Sequence, residues 1–427
     1  MGASAGAAAA TVPVTVLGSA VALPPQIAPA ATVAAPLAVA AVIAGCGTLS
    51  LAHYRALPPV LRWQRGMTGH PLAGAPSVSV VVPARNEERN LPKLLRSLIA
   101  LDYPAYEVIV VDDASTDATP AIADRYAADT EGLVRALHLA GPDPGWTGKT
   151  WACWQGAQAA RGGWLLFTDA DTEHEYGSLR AAVWSAHEAG TAALSLFPRQ
   201  QCLSFWERLL LPFAYQQYFV GVRPRRLSRP TGSALANGQY FLIQREAYAA
   251  CGGHAAVAGS IIDDVALAGA LKRAGYSPLV CHGEELVRVR MYTGLRALVA
   301  GFQKNALQFL RQQGLAGALV VLSTACNTGI LAALAWAIYA RSPLSLGAAV
   351  LAYGAQVALL MPWERAFGVR RAYALLAPLA ALAFTLIALA SMLRVLTGRR
   401  VFWKGRRYPA RGGALQPMSR RGAVGHG

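Results

Sequence analysis

Charge is what this sequence has least of. Only 15% of its 427 residues are Asp, Glu, Lys or Arg, and 54% are hydrophobic. A typical soluble domain carries roughly 25% charged residues. The deficit excludes an ordinary cytosolic protein and a disordered one. Acid is scarcer than base: 23 Asp and Glu stand against 39 Lys and Arg, a net charge of +16. Such a balance favours anionic partners, nucleic acid or lipid headgroups. The basic residues concentrate beside apolar segments, which favours lipid and excludes nucleic acid. Cysteine spacing is also uninformative by design: Cys46, Cys153, Cys202, Cys251, Cys281 and Cys326 include no CxxC pair. That argues against a zinc site or a disulfide framework and for free thiols.

No charged side chain occurs before Arg55. An Ala-rich segment, 1–29, precedes an apolar run over 30–52, long enough for a transmembrane helix, which needs ~20 residues. Pro36 lies near its start, where a helix tolerates proline. A basic n-region is missing, which argues against a cleaved signal peptide. The lipobox-like Ile43-Ala44-Gly45-Cys46 lies late and is followed by more apolar residues. Arg55, Arg62 and Arg65 come next, so the following domain is expected on the cytoplasmic side. Three further spans are predicted at 312–340, 342–363 and 372–393, the middle one transmembrane or re-entrant. A basic tail, 394–427, holds nine Lys and Arg and no acid. The positive-inside rule places that tail in the cytoplasm, whereas three spans after a cytoplasmic domain place it outside. Either one of the three does not cross or the rule fails here.

Between the spans, 77–283 reads as one α/β domain, followed by an interfacial segment, 284–311. Val78 to Val82 is a β-branched run stopped by Pro83, suited to a buried parallel strand. A second such run ends in Asp112-Asp113 and a third, Trp164 to Thr168, in Asp169-Ala170-Asp171. Strand and helix alternate, which predicts an open, mostly parallel sheet with helices on both faces. Ligands of such sheets bind beyond the carboxyl ends of the strands, where these acids fall.

Asp169 and Asp171, two apart in an extended segment, point the same way and can jointly meet a divalent ion. Mg²⁺ and Mn²⁺ favour such oxygen ligands. Gly145-Trp146-Thr147-Gly148-Lys149-Thr150-Trp151-Ala152 lacks Walker A spacing. Its glycine still lets backbone approach a phosphate, and Lys149 offers a point charge for a diphosphate. Asp263 and Asp264 open a helix. They suit a general base, or a helix cap that favours the dipole. Asn86, Glu87 and Glu88 also suit a helix N-terminal cap, as does Asp117.

Taken in order, Val80-Val81-Val82-Pro83-Ala84-Arg85-Asn86-Glu87-Glu88, Val110 to Asp117 and Thr168 to Asp171 resemble the family 2 glycosyltransferases of GT-A (Rossmann-like) fold. The GWxGKxWA form resembles the membrane-bound branch that glycosylates carotenoids, hopanoids, ceramide and related lipids. The resemblance implies a metal-dependent hexosyltransferase, multi-pass in the cell membrane. It implies inverting transfer from a nucleotide-sugar, a UDP-sugar first, to the hydroxyl or carboxylate of a membrane lipid. It places Asp264 as catalytic base with Asp263 beside it, and Asp171 and Asp169 on Mg²⁺ or Mn²⁺. Donor contacts fall to Pro83, Asn86, Glu87, Asp112, Asp113, Lys149 and Asp169. Gln303 and Lys304 stand where processive members carry Gln-x-x-Arg-Trp and are assigned to the diphosphate. The missing Arg-Trp argues against a processive polysaccharide synthase. The joint presence of Asp113, Asp169, Asp171 and Asp264 argues against a membrane scaffold or transporter with a degenerate domain.

Overall fold

A computed structural model describes residues 13–16, 19–22, 28–60, 74–227, 234–303, 315–397, 401–403 and 406–408. The expected first strand is β1 (Val78–Ala84), followed by α2 (Leu91–Ile99) after the long N-terminal helix α1 (Ala28–Arg55). Then come β2 (Tyr106–Asp113), α3 (Thr119–Asp129), β3 (Val134–Leu139), α4 (Gly148–Ala159) and β4 (Trp164–Phe167). Every residue of β4 is buried, as a run apolar on both faces requires.

The sheet continues with β6 (Ala193–Phe197), β8 (Phe241–Gln244) and β9 (Leu279–His282). Its order is β9-β6-β8-β4-β1-β2-β3. All neighbours run parallel except β8, which is antiparallel to both β4 and β6. A mostly parallel sheet is therefore correct. Helix α2 packs Leu91, Leu94, Leu95 and Leu98 onto one face. Helix α4 packs on the other face. A Cβ on Gly156 would lie 2.4 Å from Val81 Cγ1 and 2.9 Å from Val111 Cγ2, so this helix approaches the strands too closely for anything larger.

A small second sheet joins β5 (Thr172–His174), β7 (Arg199–Gln200) and β10 (Val287–Val289), with β10 in the middle. The expected domain end at Gly283 is therefore too early. The segment expected as interfacial, 284–311, supplies strand β10 and then helical residues 295–303, and its remainder lies outside the described residues.

Among the described residues four helices are long and apolar enough to cross a membrane: Val33–Arg55, Gly317–Tyr339, Pro343–Ala366 and Arg371–Arg394. One further helix, α6 (Phe205–Gly221), lies against them. Ser50 Oγ donates to Gln216 O at 2.6 Å and Gln216 Nε2 to Leu359 O at 3.1 Å. Thus α6 ties the sheet domain to the first and third apolar helices. All six cysteines are free.

Candidate active site

The carboxyl ends of β1, β2 and β4 open on a cavity of about 510 Å³. Asn86 takes a positive φ of 53°, which turns the chain sharply after β1. Its Oδ1 accepts from Thr116 N at 2.8 Å, and its own N donates to Ser115 Oγ at 2.9 Å. The two strand-end loops thus hold each other. Glu87 is buried, donates its N to Thr119 Oγ1 at 2.7 Å and accepts from Asn90 Nδ2 at 2.7 Å. Asp117 accepts from Thr119 N at 3.0 Å and Glu88 N at 3.1 Å; the N-cap position itself is Ala118, so Asp117 ties the two loops together from one residue before it.

Pro83, Asn86, Glu87 and Asp113 all line the cavity. Asp112 is not among its lining residues. Its Oδ1 accepts from Ser115 N at 3.1 Å and its Oδ2 lies 3.5 Å from His138 Nδ1. The reason is strand alternation: neighbours on β2 face opposite ways, and Asp113 is the one that faces the cavity.

The Asp169–Asp171 segment is a turn rather than the extended stretch expected, since Thr172 N donates to Asp169 O at 3.3 Å. Both carboxylate-bearing residues still line the same cavity. The turn is held from behind by groups that sequence reasoning missed. Thr168 Oγ1 donates to Gln239 O at 2.8 Å, and Thr172 Oγ1 to Asp169 O at 2.8 Å. His174 Nε2 lies 3.1 Å from Thr168 Oγ1, and burial pushes this imidazole down to about 3, so it is neutral.

Helix α4 begins with a capping box between Thr147 and Thr150, which fixes Lys149 in its first turn. Lys149 Nζ lies 2.7 Å from Asp169 Oδ1 and 3.6 Å from Asp263 Oδ2. Burial alone would favour the neutral amine. The carboxylates of Asp169, Asp263 and Asp264 outweigh it and hold the ammonium well above the ordinary lysine range.

Asp263 and Asp264 open α7 (Asp263–Arg273). Asp264 Oδ2 accepts from Gly238 N at 2.8 Å and Oδ1 from Val265 N at 2.8 Å. Burial raises the Asp264 carboxyl to about 6, and Asp263 adds to the rise. Lys149 and the two backbone N–H groups oppose it. Gly238 sits where a Cβ would meet Lys149 Nζ at 2.9 Å. A glycine here lets the lysine pass between strand end and helix.

Gln303 is not among the cavity's lining residues. It is buried, and its carbonyl accepts from Ser391 Oγ at 2.8 Å, so its place is against the last apolar helix. Lys304 lies outside the described residues. The segment before it does reach the cavity, through Arg290, Tyr292 and Gly301. Nothing in the motif pattern marked these residues.

Among the described residues no three His, Cys, Asp or Glu cluster tightly enough to hold an ion alone. Asp169 and Asp171 are an incomplete oxygen set. That fits Mg²⁺ or Mn²⁺ in sites where substrate phosphates complete the shell.

Residues 79–252 match the family model for Glycosyl transferase family 2. A 4,4'-diaponeurosporenoate glycosyltransferase of Staphylococcus haemolyticus (strain JCSC1435) is 31% identical over 234 residues, which is 54% of this chain and 60% of the relative. The protein of that name from Staphylococcus aureus (strain MRSA252) is 30% identical over 233 residues, with the same shares. The match therefore spans about 60% of the length of these relatives. Among solved structures, a mannosyltransferase from Pyrobaculum calidifontis in complex with GDP-Man and Mn²⁺ superposes with a TM-score of 0.53 at 23% identity. The likeness covers 82% of this chain and 99% of that one. Residues 79–252 are accordingly similar to Glycosyl transferase family 2 and share the GT-A-like fold of that solved structure, within a chain whose described residues also include four helices of membrane-spanning length.

Proposed function

We propose that this chain transfers a sugar from a nucleotide-sugar donor to the hydroxyl or carboxylate of a membrane lipid, with inversion at the anomeric carbon. One observation carries the reading: Asp113, Lys149, Asp169, Asp171 and Asp264 line a single cavity at the strand ends. The nucleoside lies against Asn86, Glu87 and Asp113, which offer hydrogen-bond acceptors. Lys149 faces the diphosphate as a fixed point charge. Asp171 and Asp169 would hold Mg²⁺ or Mn²⁺, which would supply charge neutralisation on the leaving diphosphate.

Asp264 takes the proton from an acceptor hydroxyl as that oxygen attacks the sugar carbon. A carboxyl raised to about 6 is ionised at neutral pH yet more basic than an ordinary aspartate. Both its oxygens already accept a backbone N–H, so its position is set before substrate arrives. The relatives' printed names give a carotenoid acid as the acceptor of those proteins. With four membrane-length helices, this supports a lipid acceptor here and a domain held at the bilayer surface on the cytoplasmic side.

The test compares lipid extracts by mass spectrometry from cells with and without the gene. One lipid class should carry an added hexose only when the gene is present. Identical lipid profiles under expression of the folded protein would contradict the reading.

A further inference from the structure

A second cavity of about 310 Å³ adjoins the first and shares Asn90, Asp171, Arg290 and Thr293 with it. Its walls carry four cationic side chains, Arg89, Lys93, Arg288 and Arg290, against two acids, Asp171 and Glu173. Two of the cations are engaged: Arg288 pairs with Glu175 at 2.5 Å and Arg290 lies 3.3 Å from Glu207. No ion pair engages Arg89 or Lys93 among the described residues, and both are exposed. The rim is apolar. Leu203 lines the cavity at 55% exposure, and Phe205, 43% exposed, follows it at the start of α6. Phe205 stacks beside Trp206 and near Tyr373, ring centroids 5.3 and 5.9 Å apart. Aromatic side chains beside spanning helices are characteristic of the headgroup level of a bilayer.

A cationic cavity with an apolar rim at that level matches an amphiphile with an anionic head. We propose that the smaller cavity recognises the anionic headgroup, carboxylate or phosphate, of the lipid acceptor. Arg89 and Lys93, the two cations that no ion pair engages, are its charge contacts, and the acyl portion leaves past Leu203 and Phe205. This rests on the reading of the larger cavity as the donor site. The shared wall at Asp171 and Arg290 then brings the two substrates together.

The test uses the full chain in neutral dodecyl maltoside micelles. Binding of dodecyl phosphate, inorganic phosphate and dodecanol is measured by calorimetry, with and without saturating UDP. Dodecyl phosphate should bind together with UDP, and about tenfold tighter than either inorganic phosphate or dodecanol. Lys93→Gln with Arg89→Gln should weaken it about tenfold while UDP affinity stays within about twofold. Should the double variant fail to fold, Lys93→Gln alone, at an exposed position, should still weaken binding about threefold. Unchanged affinity in the folded variants, or displacement by UDP, overturns the proposal. Dodecanol binding as tightly makes the site merely apolar, and inorganic phosphate binding as tightly makes the ligand a soluble anion; either result overturns it too. Failure of UDP to bind while dodecyl phosphate binds as stated would count against the donor reading and leave this one standing.

Discussion

Asp264 is half-buried beside a like charge and a lysine, and those three facts set its behaviour. As a base it works only when ionised, so transfer falls as pH drops through its pKa. Because burial and Asp263 raise that pKa to about 6, the acid limb of kcat/KM should lie near 6 rather than near the usual aspartate value. Lys149 opposes the rise, so Lys149→Gln should move the limb to higher pH as well as weaken donor binding. A pH–rate profile of the two proteins checks this, and an unmoved limb in the variant would contradict it. Asp113, Asp169 and Asp171 were legible in the sequence because each stands at the end of an apolar strand, whereas Asp264 at a helix start was legible as a base only through the family resemblance. Which of Asp112 and Asp113 faces the cavity was not legible, since strand phase is fixed only by the neighbours in the sheet. Gln303 was misplaced for a related reason: a motif position says nothing of how the segment rolls against the last helix.

Helix α6 joins the sheet to the apolar helices, and Glu207 fixes its start. Glu207 is fully buried and accepts from Ser204 Oγ at 2.7 Å, Leu203 N at 2.8 Å and Gly294 N at 2.8 Å. Burial pushes its carboxyl up, but those hydrogen bonds and one from Arg290 outweigh it and lower it to about 2. A lowered carboxyl contributes stability above its unfolded pKa, and that contribution is lost as pH falls through about 2. Glu207→Ala removes a capping box and strands several buried donors, so it should cost about 2–4 kcal/mol. Thermal unfolding in detergent measures this; an unchanged midpoint would contradict it. Because Arg290 and Gly294 precede the helical residues that line the cavity, the same variant should also lower transfer. In the sequence this helix looked like part of a soluble domain. Its apolar residues are mixed with Gln216 and Gln217, which bond to the spanning helices and so hide its place beside the bilayer. The four longer apolar runs were legible because their length alone settles what they can do.

At the scale of the whole molecule, the cavity proposed for the donor lies at the strand ends, and the smaller cationic cavity adjoins it. The carboxylates of Asp169 and Asp171 are by themselves too few to hold an ion without phosphate. Transfer should therefore be lost with EDTA and restored by Mn²⁺ or Mg²⁺; full turnover in a chelated preparation would contradict the metal assignment. The mostly parallel sheet was legible, but β8 running against its neighbours was not, because it returns to the centre of the sheet after a long excursion through α6. That excursion is also what carries the membrane connection into the middle of the domain. The central claim is that Asp264 performs proton transfer in a nucleotide-sugar reaction, and Asp264→Asn isolates it, since the amide keeps the shape and one accepting oxygen. The measurement is sugar transfer to lipid by the purified wild-type and Asp264→Asn chains, with donor binding measured on the same samples. The account predicts transfer reduced by roughly 10²–10⁴-fold with donor affinity retained, and wild-type transfer by a folded Asp264→Asn chain would contradict it.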